Sequence, residues 1–162
     1  MIKKILFRIV LLSAVCTLIG ACDKHTEVLF DTPFVSISDE QRGSSTQYIS
    51  KDANNLLSPL WVDINVSSNR FTEDISIEYE IIVGDGLKEG EDFVIQSTTR
   101  SPLVFKKGTY NMPIRILWKK TPFDPEKNNT LEIKLVSSSL EDMLIGYPGP
   151  SRKRSTFTFI KQ

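Results

Sequence analysis

From Phe34 to the C terminus the chain is written mostly in period two. Phe34-Val35-Ser36-Ile37 opens the pattern modestly. Leu60 to Val66 alternates cleanly, with Val62, Ile64 and Val66 on one face. Asp74 to Val83 sends Ile75, Ile77, Tyr79 and Ile81 one way and Ser76, Glu78 and Glu80 the other. That is the mark of a half-buried antiparallel strand. Asp92–Gln96 and Pro102–Lys106 read as shorter strands. In Tyr110–Trp118, Met112, Ile114, Ile116 and Trp118 share a face, and Pro113 inside the run calls for an edge position or a bulge. Thr130–Val136 alternates through Leu131, Ile133 and Leu135, and Thr156–Ile160 closes the series, with a minor strand at Gln47–Ile49. Gly84-Asp85-Gly86 and Lys107-Gly108 supply turns, and Thr121–Asn129 is a loop. No stretch sustains an apolar period of 3.6. The expectation is a single all-β antiparallel sandwich of seven or eight strands over residues 34–162.

The first thirty residues follow another rule. Lys3, Lys4 and Arg8 precede an uncharged, mostly apolar run from Ile9 to Ala21, shorter than the ~20 residues that span a bilayer. Ile19-Gly20-Ala21-Cys22 resembles a bacterial lipobox, with an aliphatic residue three before the cysteine and small residues at the cut. The resemblance implies a signal peptide over 1–21, a lipidated Cys22 and a tether over 22–33. Two or three acyl chains hold a protein on a membrane durably, since each buried methylene adds about 0.8 kcal/mol. The tether, about eleven residues beyond the cysteine, reaches at most ~40 Å when extended. Just after the cysteine the acids are Asp23 and Glu27, set beside Lys24 and His25.

Charge and cysteine content narrow the classes. Without Lys3, Lys4 and Arg8 the chain carries 17 basic and 20 acidic residues, a formal charge of −3, which makes no electrostatic case for nucleic acid. Cys16 lies in the signal and Cys22 takes the lipid, so the sandwich has neither thiol nor disulfide and must rest on its core. The one histidine, His25, lies on the tether, where no nucleophilic triad or metal set can be built around it. Glu78 and Glu80 stand together on a solvated strand face. Gly84-x-Gly86 is a hairpin turn without the helix that a phosphate loop requires. The expectation is a non-enzyme without cofactor or metal.

Gly90-Glu91-Asp92-Phe93, Leu103-Val104-Phe105-Lys106-Lys107-Gly108, Ile114-Arg115-Ile116 and Leu131-Glu132-Ile133-Lys134-Leu135 together resemble the Calx-β pattern over roughly residues 74–137. The resemblance implies an immunoglobulin-like sandwich, a fold in which some members bind calcium through acidic loops. In those members an acidic pair follows the strand matching Ile114–Trp118, where this chain has Lys119-Lys120. Asp85, Glu89, Glu91, Asp92, Asp124 and Glu126 are the acidic loop residues that remain, and Asp92 suits a turn cap. The layout, including the tail Ile145-Gly146-Tyr147-Pro148-Gly149-Pro150, is also similar to uncharacterised lipoproteins of Bacteroidetes. Many of these accompany outer-membrane glycan uptake systems. The implied setting is the outer membrane, with a glycan or an outer-membrane protein as partner.

Two features point to a binding surface. Trp61 is out of phase with Val62, Ile64 and Val66, which suits either sugar stacking or burial at a rim. Tyr147 precedes Arg152-Lys153-Arg154, either a loop that grips an acidic glycan or partner, or a basic connection before the last strand. The anchor is directly testable. Cys22→Ser should abolish incorporation of labelled palmitate and move the protein from the membrane to the soluble fraction. A variant that stays membrane-bound would show that Cys22 is not the attachment point.

Overall fold

The computed structural model describes residues 32–40, 43–151 and 153–162. Ten strands make two sheets: β1 (Phe34–Ser38), β2 (Thr46–Ile49), β3 (Leu56–Asn65), β4 (Ile75–Val83), β5 (Phe93–Ile95), β6 (Leu103–Phe105), β7 (Asn111–Trp118), β8 (Thr130–Ser138), β9 (Leu144–Ile145) and β10 (Thr156–Lys161). One sheet has the order β5-β7-β3-β1-β9 and the other β2-β10-β8-β4-β6. The neighbours are antiparallel except at two edges, where β9 runs parallel to β1 and β2 parallel to β10. The strand total exceeds the expected seven or eight because short pieces, such as two-residue β9, pair at sheet margins.

The alternation read from sequence is the alternation that packs. Leu60, Val62 and Ile64 of β3 are buried, as are Ile75, Ile77 and Tyr79 of β4 and Leu131, Ile133 and Leu135 of β8. They meet Ile114, Ile116, Phe157 and Phe159 in one continuous core. Trp118 lies between Phe93 and Phe159, with ring centroids 5.8 and 5.7 Å away, and Phe157 follows at 5.1 Å from Phe159. Aromatic neighbours at such spacings add cohesion beyond the area they bury. At the opposite rim the Tyr79 hydroxyl donates to the Thr99 carbonyl at 2.6 Å, and burial pushes its pKa up to about 12.

β3 begins at Leu56, four residues before the expected start, and so contains Pro59. The two strand prolines obey one rule. Ile64 N–H donates to the Tyr110 carbonyl at 2.9 Å, so the even-numbered residues of β3 and β7 bond each other and the odd-numbered ones turn away. Pro59 and Pro113 are both odd. β1 pairs with β3 only from Asn65 to Trp61, and β5 pairs with β7 only from Trp118 to Ile116. Each missing N–H therefore falls where no strand follows, and Pro113 has the expected edge environment although β7 is inside its sheet.

A charged group sits in the core layer. Continuing the phase of Phe157 and Phe159 along β10 turns Lys161 inward, and it is 2% exposed. Its ammonium donates to Asp92 Oδ1 at 2.9 Å, to Thr121 Oγ1 at 2.6 Å and to the Lys119 carbonyl at 3.3 Å. Thr121 donates its hydroxyl to the same Asp92 oxygen, and the Lys88 N–H donates to the other at 2.9 Å. Asp92 leads into β5 and Lys119 follows β7, so the pair fastens the last strand of one sheet to an edge of the other. Burial works to raise the Asp92 carboxyl, but the bonds from Thr121, Lys161 and Lys88 outweigh it and hold its pKa below the ordinary value. Folding thus favours the carboxylate. Its contribution is present above about pH 4 and is lost as pH falls through the folded-state pKa.

Breaking this pair from one side leaves a buried charge alone. Asp92→Asn should cost about 3–5 kcal/mol in urea denaturation, and adding Lys161→Met should recover most of that loss. The double variant should also lose less stability than wild type below about pH 4, the remaining loss coming from Asp52, Asp74 and Asp142, whose basic partners also hold their pKa values down. A double variant no more stable than Asp92→Asn would show that the two residues are not coupled.

Candidate functional site

The outward faces of β1 and β3 carry a concentration of chemistry at one end. Phe34 stands opposite Asn65 and Ser36 opposite Asp63. Val35 and Ile64 between them point into the core, which fixes the outward direction of their neighbours. The approach to β7 brings Tyr110 and Asn111 alongside, with Asn111 in register with Asp63. Phe71 packs edge-on against Tyr110 at 5.4 Å and braces it from below.

The fourth wall comes from the loop after β9. Gly146 N–H donates to the Val35 carbonyl at 2.7 Å, Tyr147 N–H to the Lys153 carbonyl at 2.7 Å, and Ile37 N–H to the Arg154 carbonyl at 2.9 Å. These bonds close the loop against the β1 edge. They set the Tyr147 ring edge-to-face with Phe34 at 5.5 Å, and the Arg154 guanidinium lies 5.0 Å from the Tyr147 ring centre. The result is an open cleft of about 400 Å³ lined by Phe34, Ser36, Asp63, Ile64, Asn65, Tyr110, Asn111, Tyr147 and Arg154. Tyr110 and Tyr147 keep 40% and 38% of their surface exposed, so each ring is braced yet open to a ligand. Aromatic surface ringed by amide, carboxylate and guanidinium groups can stack on an apolar face while exchanging hydrogen bonds with hydroxyls around it. Among the described residues no three His, Cys, Asp or Glu side chains are grouped to hold a metal ion.

Of the residues singled out by sequence, Tyr147 and Arg154 line this cleft, and Lys153 lines an adjoining one. Arg152 and Cys22 lie outside the described residues. Trp61 is partly buried on the outward row of β3, two residues from Asp63 and opposite Ser38 and Pro113, but it does not line the cleft. The acidic loop residues are dispersed. Asp85 caps the Asn128 N–H, Asp124 caps that of Glu126, Glu89 pairs with Arg100 and Glu91 with Lys88. Asp92 both caps Lys88 and holds Lys161. Lys119, at the place of the acidic pair, donates to the Gly90 carbonyl at 2.7 Å, and Lys120 pairs with Asp52 at 2.9 Å.

Sequence reasoning passed over Phe34, Asp63, Asn65, Tyr110 and Asn111. Phe34 did carry a signal, since it is out of phase with Val35 and Ile37 just as Trp61 is with its own neighbours.

No protein-family model matches the chain, and no curated protein matches it. Among solved structures the chain is similar to CBD12 from CALX1.2, with a TM-score of 0.52 and 18% identity, covering 78% of this chain and 43% of that one. It is also similar to a structural-genomics protein of unknown function from Bacteroides ovatus, with a TM-score of 0.49 and 14% identity over 79% of this chain and 46% of the other. The chain spans less than half the length of either. The first is a Calx-β domain, and at that identity the likeness is one of fold: this chain is an all-β, Calx-β-like sandwich.

Proposed function

We propose that this protein is a lipid-anchored lipoprotein of the outer membrane whose sandwich is a non-catalytic glycan-binding accessory of a polysaccharide uptake system. The observation that carries the reading is the cleft between Phe34, Tyr110 and Tyr147, where aromatic rings alternate with Asp63, Asn65 and Asn111. A pyranose presents apolar C–H faces and a rim of hydroxyls, and this lining supplies a partner for each. The lipobox-like Ile19–Cys22 stretch and the tether supply the address.

A competing reading is a structural or adhesive contact with another envelope protein. It is favoured by exposed Tyr48, Leu56 and Leu57, which lie together beside β2, the margin of its sheet among the described residues. The two readings separate by mutation. On a panel of immobilised polysaccharides, Tyr147→Ala and Tyr110→Ala should weaken binding about tenfold or more, as truncated aromatic anchors do. Trp61→Ala, outside the cleft, should weaken it less, and Tyr48→Lys should leave it unchanged. A wild-type chain that binds no polysaccharide, with partner cross-links that vanish in Tyr48→Lys, would favour the competing reading. Protease treatment of intact cells reports the address: digestion is expected for a module that captures external glycans, and protection until lysis would place it inside the envelope.

A further inference from the structure

Tyr147 and Arg154 belong to two depressions at once. Beside the aromatic cleft lies a second hollow of about 650 Å³, where Ser44, Ser45, Ser151, Ser155 and Thr156 surround Lys153 and the same Arg154. Its lining holds cations and hydroxyls and no carboxylate. Such a set of donors suits an anionic substituent, because charge-assisted hydrogen bonds are about twice as strong as neutral ones. The first cleft suits a neutral ring, and the two share a wall.

Arg154 itself is unusual. Its backbone has φ +61°, the left-handed region that a side chain disfavours. The Ile37-to-Arg154 bond and the neighbouring Tyr147-to-Lys153 bond hold it there. Glycine would take this conformation freely, yet the position carries the side chain whose guanidinium stands over Tyr147 where the hollows meet. Held strain of this kind concentrates at ligand sites. A guanidinium has five N–H donors and can serve the ring and a ligand oxygen together.

We infer that the two hollows form one site for an acidic saccharide. The sugar ring lies against Tyr147 in the first, and its carboxylate or sulfate group meets Lys153 and Arg154 in the second. This rests on the glycan reading above and adds the charge of the ligand to it.

The test uses the full-length chain in detergent, with polygalacturonate, chondroitin sulfate and carboxyl-reduced polygalacturonate as probes. Wild type should prefer an acidic polymer over the reduced one by about tenfold or more at low salt, and raising the salt should erode that preference. Lys153→Gln and Arg154→Gly should each remove most of the preference, while Lys127→Gln, outside both hollows, should keep it. Arg154→Gly should melt no lower than wild type, since glycine accepts the positive φ. Equal affinity for acidic and reduced polymers, or a preference that survives both substitutions, overturns the acidic ligand. The glycan reading then stands, provided Tyr147→Ala still weakens binding about tenfold or more. Binding of no polymer by wild type removes both. A marked loss of stability in Arg154→Gly would make the guanidinium a structural brace and overturn the argument from its backbone.

Discussion

The contact that fixes how the layers of this sandwich meet is an ammonium–carboxylate pair sealed between them. Lys161 is the last residue of β10, and Asp92 leads into β5, the three-residue edge strand of the opposite sheet. Hydrophobic contacts are non-directional, so apolar faces of the right volume can leave more than one packing open. A buried charge pair with satisfied hydrogen bonds has one geometry. Thr121, the Lys119 carbonyl and the Lys88 N–H occupy the remaining donors and acceptors, so the pair is not left half-satisfied. The aromatic run Phe93–Trp118–Phe159 lies directly beneath it and uses the same three strands. Polar pair and aromatic stack together define how the two sheets meet at this end.

The other end of the molecule has the opposite character. There the residues that face outward from β1, β3 and β7 are joined by a loop that β9 positions and that leads directly into β10. The core beneath them is apolar and self-contained, which frees the outer face to carry Asn, Asp and Tyr side chains. Rigidity comes from the ladder below, and chemistry from the row above. This is the usual division between a β-scaffold and the surface it presents.

Period two made most of the fold readable, because one buried face writes itself into the sequence as alternation. β4, β7 and β8 are the clearest cases. Lys161 escaped because a lysine after Phe-Thr-Phe-Ile looks like the end of a strand, although phase alone turns it inward with Phe157 and Phe159. Pro59 concealed the first part of β3 for the same reason: only the pairing shows that its N–H side has no neighbour. The cleft was largely invisible. Its walls come from four separate stretches, and the outward phase of a strand is where sequence carries least constraint. Tyr147 and Arg154 were visible because a loop rich in Pro, Gly and base stands apart from alternating surroundings.

The parallel edge strands have a consequence for the order of folding. Thr46 pairs with Thr158 and Phe34 with Leu144, nearly the whole length of the domain apart. Among the described residues β2 pairs with β10 alone, and no described strand of the first half of the chain completes it. A polypeptide synthesised from its N terminus carries β2 without its described partner until β10 arrives. Closure of such distant contacts is slow, because loop entropy is spent before the contact forms. The same late residues bring Lys161 to Asp92. Completion of the edge and sealing of the layers are therefore one event, and a nascent chain short of its last strand lacks both.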